Sequence, residues 1–85
     1  MIHEVKMPQI TMQVRAARLT MDAGYVLAWL VRAGEAVKKG DPLAEIEEEK
    51  AVEVLESPAD GVVAEICCET GVRVEAGEVL CRIEA

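Results

Sequence analysis

Apolar residues in this chain come in short runs, not in helical stripes. Val26-Leu27-Ala28-Trp29-Leu30-Val31 is one run, and Val62-Val63-Ala64-Glu65-Ile66-Cys67-Cys68 is another. Both are rich in strand-forming residues and both lead into a glycine turn. Val52-Glu53-Val54 alternates with period two, as a half-buried strand does. Gly40-Asp41-Pro42 and Pro58-Ala59-Asp60-Gly61 carry strong turn chemistry. The pattern predicts strands at 2–7, 26–31, 43–47, 51–57, 62–68 and 79–84, with shorter ones centred on Val37 and Val74.

The runs also repeat. The six glycines form three pairs, 24/61, 34/71 and 40/77, and each pair is separated by 37 residues. The same offset matches Val26 with Val63, Val37 with Val74, Leu43 with Leu80, Ile46 with Ile83 and Glu47 with Glu84. Two copies are too few for a solenoid. They predict one all-β domain, 1–85, with internal pseudo-two-fold symmetry and about eight short strands in two small sheets. The glycines are expected to serve as tight-turn or positive-φ positions.

A helix over 45–56 is the competing reading, because that segment has high helix propensity. Glu45 and Glu49 would then repel at i,i+4, and Ile46, Val52, Val54 and Leu55 would make a poor stripe. The repeat decides against it, since Ile46-Glu47 matches the strand end Ile83-Glu84. A hairpin turn is therefore expected at Glu48-Glu49-Lys50.

Composition narrows function. Nine Lys plus Arg against sixteen Asp plus Glu give a formal charge of -7. That sign excludes phosphate neutralisation, and one Trp, one Tyr and no Phe leave no stacking platform for bases. The same charge disfavours an anionic membrane surface, and no apolar run is long enough to span a bilayer. An apolar fraction of 52% is too high for a disordered acidic tail. A domain of 85 residues has little room for a deep cleft. The single histidine, His3, sits near a chain end, which leaves a poor inventory for nucleophilic catalysis. Cys67, Cys68 and Cys81 have neither disulfide-framework nor zinc-ligand spacing and read as reduced thiols. Trp29 reads as core or core edge, and the methionines at 1, 7, 12 and 21 as packing or initiation.

Lys50 is the one side chain with distinctive surroundings. Six glutamates lie within residues 45–56. Carboxylates around an ammonium favour its charged form, the opposite of what a nucleophilic or Schiff-base lysine needs. A lysine at a rigid hairpin tip suits modification by another protein; a solvated lysine in an acidic turn is the plain alternative. Glu47, Glu48 and Glu53 read as a solvated acidic rim.

The run Glu45-Ile46-Glu47-Glu48-Glu49-Lys50-Ala51, followed by Val52-Glu53-Val54 and Glu56-Ser57-Pro58-Ala59-Asp60-Gly61, resembles the lipoyl-attachment hairpin. That hairpin belongs to the lipoyl domains of dihydrolipoamide acyltransferases in 2-oxo acid dehydrogenase complexes. Val5-Lys6-Met7-Pro8, Leu19-Thr20-Met21-Asp22-Ala23-Gly24, Trp29-Leu30-Val31-Arg32-Ala33-Gly34 and Val37-Lys38-Lys39-Gly40-Asp41 resemble the other segments of the family in order. The resemblance implies a flattened β-barrel, a sandwich hybrid of two four-stranded sheets, with the lysine at a hairpin tip.

It further implies a non-catalytic swinging-arm carrier with lipoic acid in amide linkage to Lys50. Glu49, Ala51 and Glu47 would be the context read by a lipoate ligase or lipoyltransferase. The implied partners are a thiamine-dependent 2-oxo acid decarboxylase, dihydrolipoamide dehydrogenase and an acyltransferase core. The residue before the lysine is usually Asp in the family and here is Glu49. Biotin carriers place Met on both sides of the lysine, which Glu49 and Ala51 do not match; a biotinyl carrier and an unmodified structural or binding barrel are the alternatives.

Fifteen residues separate Pro8 from Gly24, against two between Pro58 and Gly61. The surplus is a loop at about 11–18, Thr-Met-Gln-Val-Arg-Ala-Ala-Arg. In the family this loop lies near the lysine, so Arg15 and Arg18 would place positive charge on an acidic face and tune partner choice. A tolerated surface insertion is the other reading. The expected location is a bacterial or archaeal cytoplasm if Met1 is the natural start, or a mitochondrial matrix if the chain is a piece of a eukaryotic protein.

Overall fold

A computed structural model of the chain describes residues 1–8, 10–14, 17–21, 23–48 and 51–85, with 10–14 and 17–21 described in backbone only. Every regular element among the described residues is a β-strand. They are β1 (Ile2–Lys6), β2 (Ile10–Val14), β3 (Ala17–Met21), β4 (Ala23–Trp29), β5 (Ala36–Val37), β6 (Pro42–Glu48), β7 (Ala51–Glu56), β8 (Gly61–Ile66), β9 (Arg73–Glu75) and β10 (Val79–Glu84).

Eight of the strands form two antiparallel four-stranded sheets, ordered β1-β10-β8-β5 and β7-β6-β4-β9. The orders are the same once the 37-residue repeat is applied: β4 becomes β8, β6 becomes β10, and β5 and β9 exchange places. β1 then stands where β7 does, because Ile2 faces Glu84 as Val52 faces Glu47. Even the irregularity is repeated. Leu27 is an extra residue between Val26↔Ile46 and Ala28↔Glu45, and Ala64 is an extra residue between Val63↔Ile83 and Glu65↔Arg82.

Alternation along these strands sends one set of side chains into the space between the sheets. Val26, Leu43 and Ile46 are fully or almost fully buried there, as are their repeat mates Val63, Leu80 and Ile83. Each such side chain contributes about 1.5–3 kcal/mol by leaving water. Trp29 packs at the edge of this core, and its indole N–H donates to the Cys68 carbonyl at 3.0 Å.

The predicted strands are present with ends shifted by up to three residues. Two further strands replace the expected loop at 11–18: β2 and β3 pair as a separate two-stranded hairpin from Ile10↔Met21 to Val14↔Ala17. Ile10-Thr11-Met12-Gln13-Val14 has the alternation and β-branching of a strand, a signal masked by treating the segment as surplus.

Glycine serves two purposes. Gly34 and Gly40 turn the chain at φ of 93° and 90°, and their mates Gly71 and Gly77 do so at 78° and 92°. Gly24 and Gly61 do not share this geometry, contrary to the sequence expectation. They lie in strands at close crossings, where a Cβ on Gly61 would overlap the Glu84 carbonyl.

Candidate functional site: a hairpin end on an acidic sheet

β6 and β7 stay paired from Pro42↔Glu56 to Glu48↔Ala51. Only residues 49 and 50 join those last partners. Glu49 and Lys50 themselves lie outside the described residues. The turn is therefore shorter than expected, because Glu48 belongs to β6 rather than to the turn.

Glu48 corrects the sequence reading in a second way. It was expected in a solvated acidic rim, yet it is fully buried. Residues two apart in a strand share a face. Ile46 points into the core, so Glu48 does too, packing its Cγ against the space left by Gly24. That period-two relation was available in the sequence. The Met7 methyl also approaches Gly24. The base of the hairpin is thus fixed to β4 from inside the sandwich. Glu53 is exposed, as expected of a rim residue, and Ala51 is half-buried.

Glu47 points the other way, onto the outer face. It lies between Val52 on β7 and Tyr25 on β4, and Tyr25 in turn faces Arg73 on β9. The Tyr25 hydroxyl donates to the Glu47 carboxylate. That hydrogen bond, then desolvation and the carboxylate charge, raise the phenol above its ordinary value. Ala23, Gly24, Tyr25, Glu47, Gly71 and Arg73 line a cleft of about 230 Å³ beside the hairpin. Sequence reasoning missed Tyr25 and Arg73, which are brought together only by the non-local β4–β9 pairing.

Arg15 lies outside the described residues. Arg18 is described in backbone only, on β3 opposite Gln13. The expected partner loop is therefore a hairpin.

The cysteines are free thiols on the other sheet's side of the molecule. Cys67 is exposed and accepts a hydrogen bond from Arg82 Nη1 at 3.1 Å; Arg82 also pairs with Glu65 and lies 3.5 Å from Glu4. Burial pushes the Cys67 and Cys68 thiols up, and pushes buried Cys81 to about 11. Raised values disfavour the thiolate, so these groups are poor nucleophiles. Among the described residues no cluster of His, Cys, Asp and Glu could hold a metal, and no helix is long and apolar enough to cross a membrane.

Two four-stranded sheets related by the internal repeat define an architecture of the barrel–sandwich type. The comparisons agree. The family model described as "Biotin-requiring enzyme", the biotin/lipoyl family, matches residues 3–83, and the chain belongs to that family. The chain is 42% identical over 62 residues to the mouse mitochondrial pyruvate dehydrogenase protein X component, covering 72% of the chain and 12% of that protein. It is 38% identical over 93 aligned positions to a Zymomonas mobilis protein, the dihydrolipoyllysine-residue acetyltransferase component of the pyruvate dehydrogenase complex, covering 96% of the chain and 20% of the relative. Among solved structures, the lipoyl domain of the Azotobacter vinelandii 2-oxoglutarate dehydrogenase complex superposes with a TM-score of 0.69 at 31% identity, covering 95% of this chain and 96% of that one. The chain thus spans a fifth or less of the length of these curated relatives.

Proposed function

We propose that the chain is a lipoyl carrier domain, modified on Lys50, that serves a 2-oxo acid dehydrogenase complex. One observation carries this reading: Glu48 pairs with Ala51 at the end of β6–β7, so the lysine occupies a two-residue connection at the margin of a rigid sheet. A lipoate carboxylate would join the Lys50 amine as an amide with net loss of one water. When attached, the lipoyl group supplies acyl carriage and two-electron redox chemistry.

The chain's own residues supply a fixed base. Buried Glu48, packed against Gly24, holds the root of the hairpin, while Glu47 and Glu45 give the sheet beside it an acidic outer surface. The proposed partners are a lipoate ligase or lipoyltransferase, a thiamine-dependent decarboxylase, dihydrolipoamide dehydrogenase and an acyltransferase core. Tethering to such partners raises the effective concentration of the carried group at each site.

The test is the intact mass of the chain after co-production with lipoate ligase and lipoate, with peptide mapping. A lipoyl increment on Lys50, lost in Lys50→Arg with the fold retained, is expected. No increment on the folded chain would overturn the proposal. A biotin increment with a biotin ligase in place of the lipoyl one would reassign the carrier.

A further inference from the structure

The repeat lets one half of the molecule act as a control for the other. On the outer face of β7-β6-β4-β9, a second cross-strand row runs Val54–Glu45–Ala28, with Leu27 as the bulged residue beside Ala28. The matching row on β1-β10-β8-β5 is Glu4–Arg82–Glu65, with Ala64 as the bulged residue. One copy carries an ionic ladder, in which Arg82 pairs with both Glu4 and Glu65. The other copy carries apolar Val54 and Ala28 at the positions of Glu4 and Glu65, and Glu45 at the position of Arg82.

The fold therefore does not require Val54 or Leu27. A polar residue and a small one hold the equivalent positions in the same molecule. Yet Val52, Val54 and Leu27 remain 55%, 52% and 45% exposed on one face. Leucine lacks the β-branching that would recommend it for an exposed strand. Val52 has an equally apolar, exposed mate in Ile2, so the difference between the sheets rests on Val54 and Leu27. Apolar groups present on one sheet only, where the fold accepts polar or smaller ones, mark a contact surface.

Two features identify what covers it. The patch is interleaved with Glu45 and Glu47 and edged by exposed Glu56, so its complement is apolar with a lysine or arginine rim. The patch also runs up β7 to Ala51 at the base of the hairpin. An enzyme that attaches lipoate must bring its active site to the lysine amine itself, and its body then lies against the adjoining sheet. An enzyme that uses the finished arm needs only the arm's far end.

We propose that the face formed by Leu27, Val52, Val54, Glu45 and Glu47 is the docking surface for the enzyme that lipoylates Lys50. This rests on the carrier reading above. A patch of three apolar side chains makes a small contact, which suits an enzyme that modifies the domain once and dissociates.

The test uses purified lipoate–protein ligase with lipoate and ATP, reading the increment by intact mass. The variant is Val54→Lys with Leu27→Ala; the first sets an opposite charge across from Glu45, as Glu4 and Arg82 face each other on the other sheet, and the second copies Ala64. The expected result is a KM for the domain raised about tenfold, equivalent to roughly 1.4 kcal/mol of binding, with kcat within about twofold and an unchanged melting curve. Val62→Glu, on the opposite sheet, is expected to leave KM unchanged. Amide shifts at 27, 45, 47, 52 and 54 should move on adding ligase to the unmodified chain.

Equal KM for wild type and the double variant overturns the docking surface while leaving the carrier reading standing. A wild-type chain that takes no lipoyl group overturns both. Unchanged lipoylation with slower reductive acylation by a thiamine-dependent decarboxylase overturns the assignment and gives the patch to that enzyme. A wild-type dimer that the variant dissociates, with KM unchanged, overturns it in favour of a second copy of the chain.

Discussion

Gly24 and Glu48 share one space inside the sandwich: a Cβ on Gly24 would overlap the Glu48 Cγ and the Glu47 carbonyl oxygen. The carbonyl belongs to a paired strand and cannot swing away. Gly24→Ala therefore forces β4 and β6 apart at the root of the hairpin. Overpacking of this kind costs about 1–3 kcal/mol. Gly61→Ala meets the Glu84 carbonyl in the same way, but at the repeat-related place on the other sheet. Both variants should melt lower by circular dichroism. Gly24→Ala should also slow lipoylation of the folded fraction, while Gly61→Ala should not. Equal lipoylation rates for the two folded variants would show that the hairpin root tolerates displacement.

The repeat makes a second prediction about energy. Ile46 and Ile83 are repeat mates, 1% and 0% exposed, in the same place in their respective sheets. Removing one methyl group from each leaves a similar cavity. Ile46→Val and Ile83→Val should each cost about 0.5–1.5 kcal/mol, and the two costs should agree within about 0.5 kcal/mol in urea titrations. A much larger cost at one site would mean that the core is not divided evenly between the copies.

The fold was largely legible because each copy repeats its turns and its buried positions. Val26/Val63, Leu43/Leu80 and Ile46/Ile83 are both sequence matches and core partners. Two things escaped. Glu48 was read as solvated from its charge, although its spacing from Ile46 places it inside; the residue type outweighed the register. Tyr25 and Arg73 lie far apart in the chain and meet across β4 and β9, a pairing that no local pattern encodes. The segment 11–18 was read by its surplus length, which hid the alternation that makes it a hairpin. The site itself was legible only as an ordered set of residues around Lys50. The structure adds the buried support beneath that position and the apolar face beside it.

Cys81 supplies a pH test. It is wholly inaccessible, and burial first, then the neighbouring Cys67 and Cys68 thiols, raise it from 9.0 to about 11. In the unfolded chain the thiol ionises at its ordinary value, while in the folded chain it keeps its proton. Below the ordinary value both states hold the proton, and the full stability is present. As pH rises from 9.0 toward about 11 the unfolded state binds fewer protons than the folded one, so stability falls. The loss from this group is at most about 1.4 kcal/mol per pH unit across that window. Urea midpoints under reducing conditions should therefore fall more steeply above pH 9.0 for wild type than for Cys81→Ala. The slopes matter and not the absolute midpoints, because the substitution also opens a cavity at neutral pH. Tyr25, Cys67 and Cys68 titrate in both proteins and cancel in the comparison, apart from the loss of their coupling to Cys81. Parallel pH curves would mean that the Cys81 thiol reaches solvent in the folded domain.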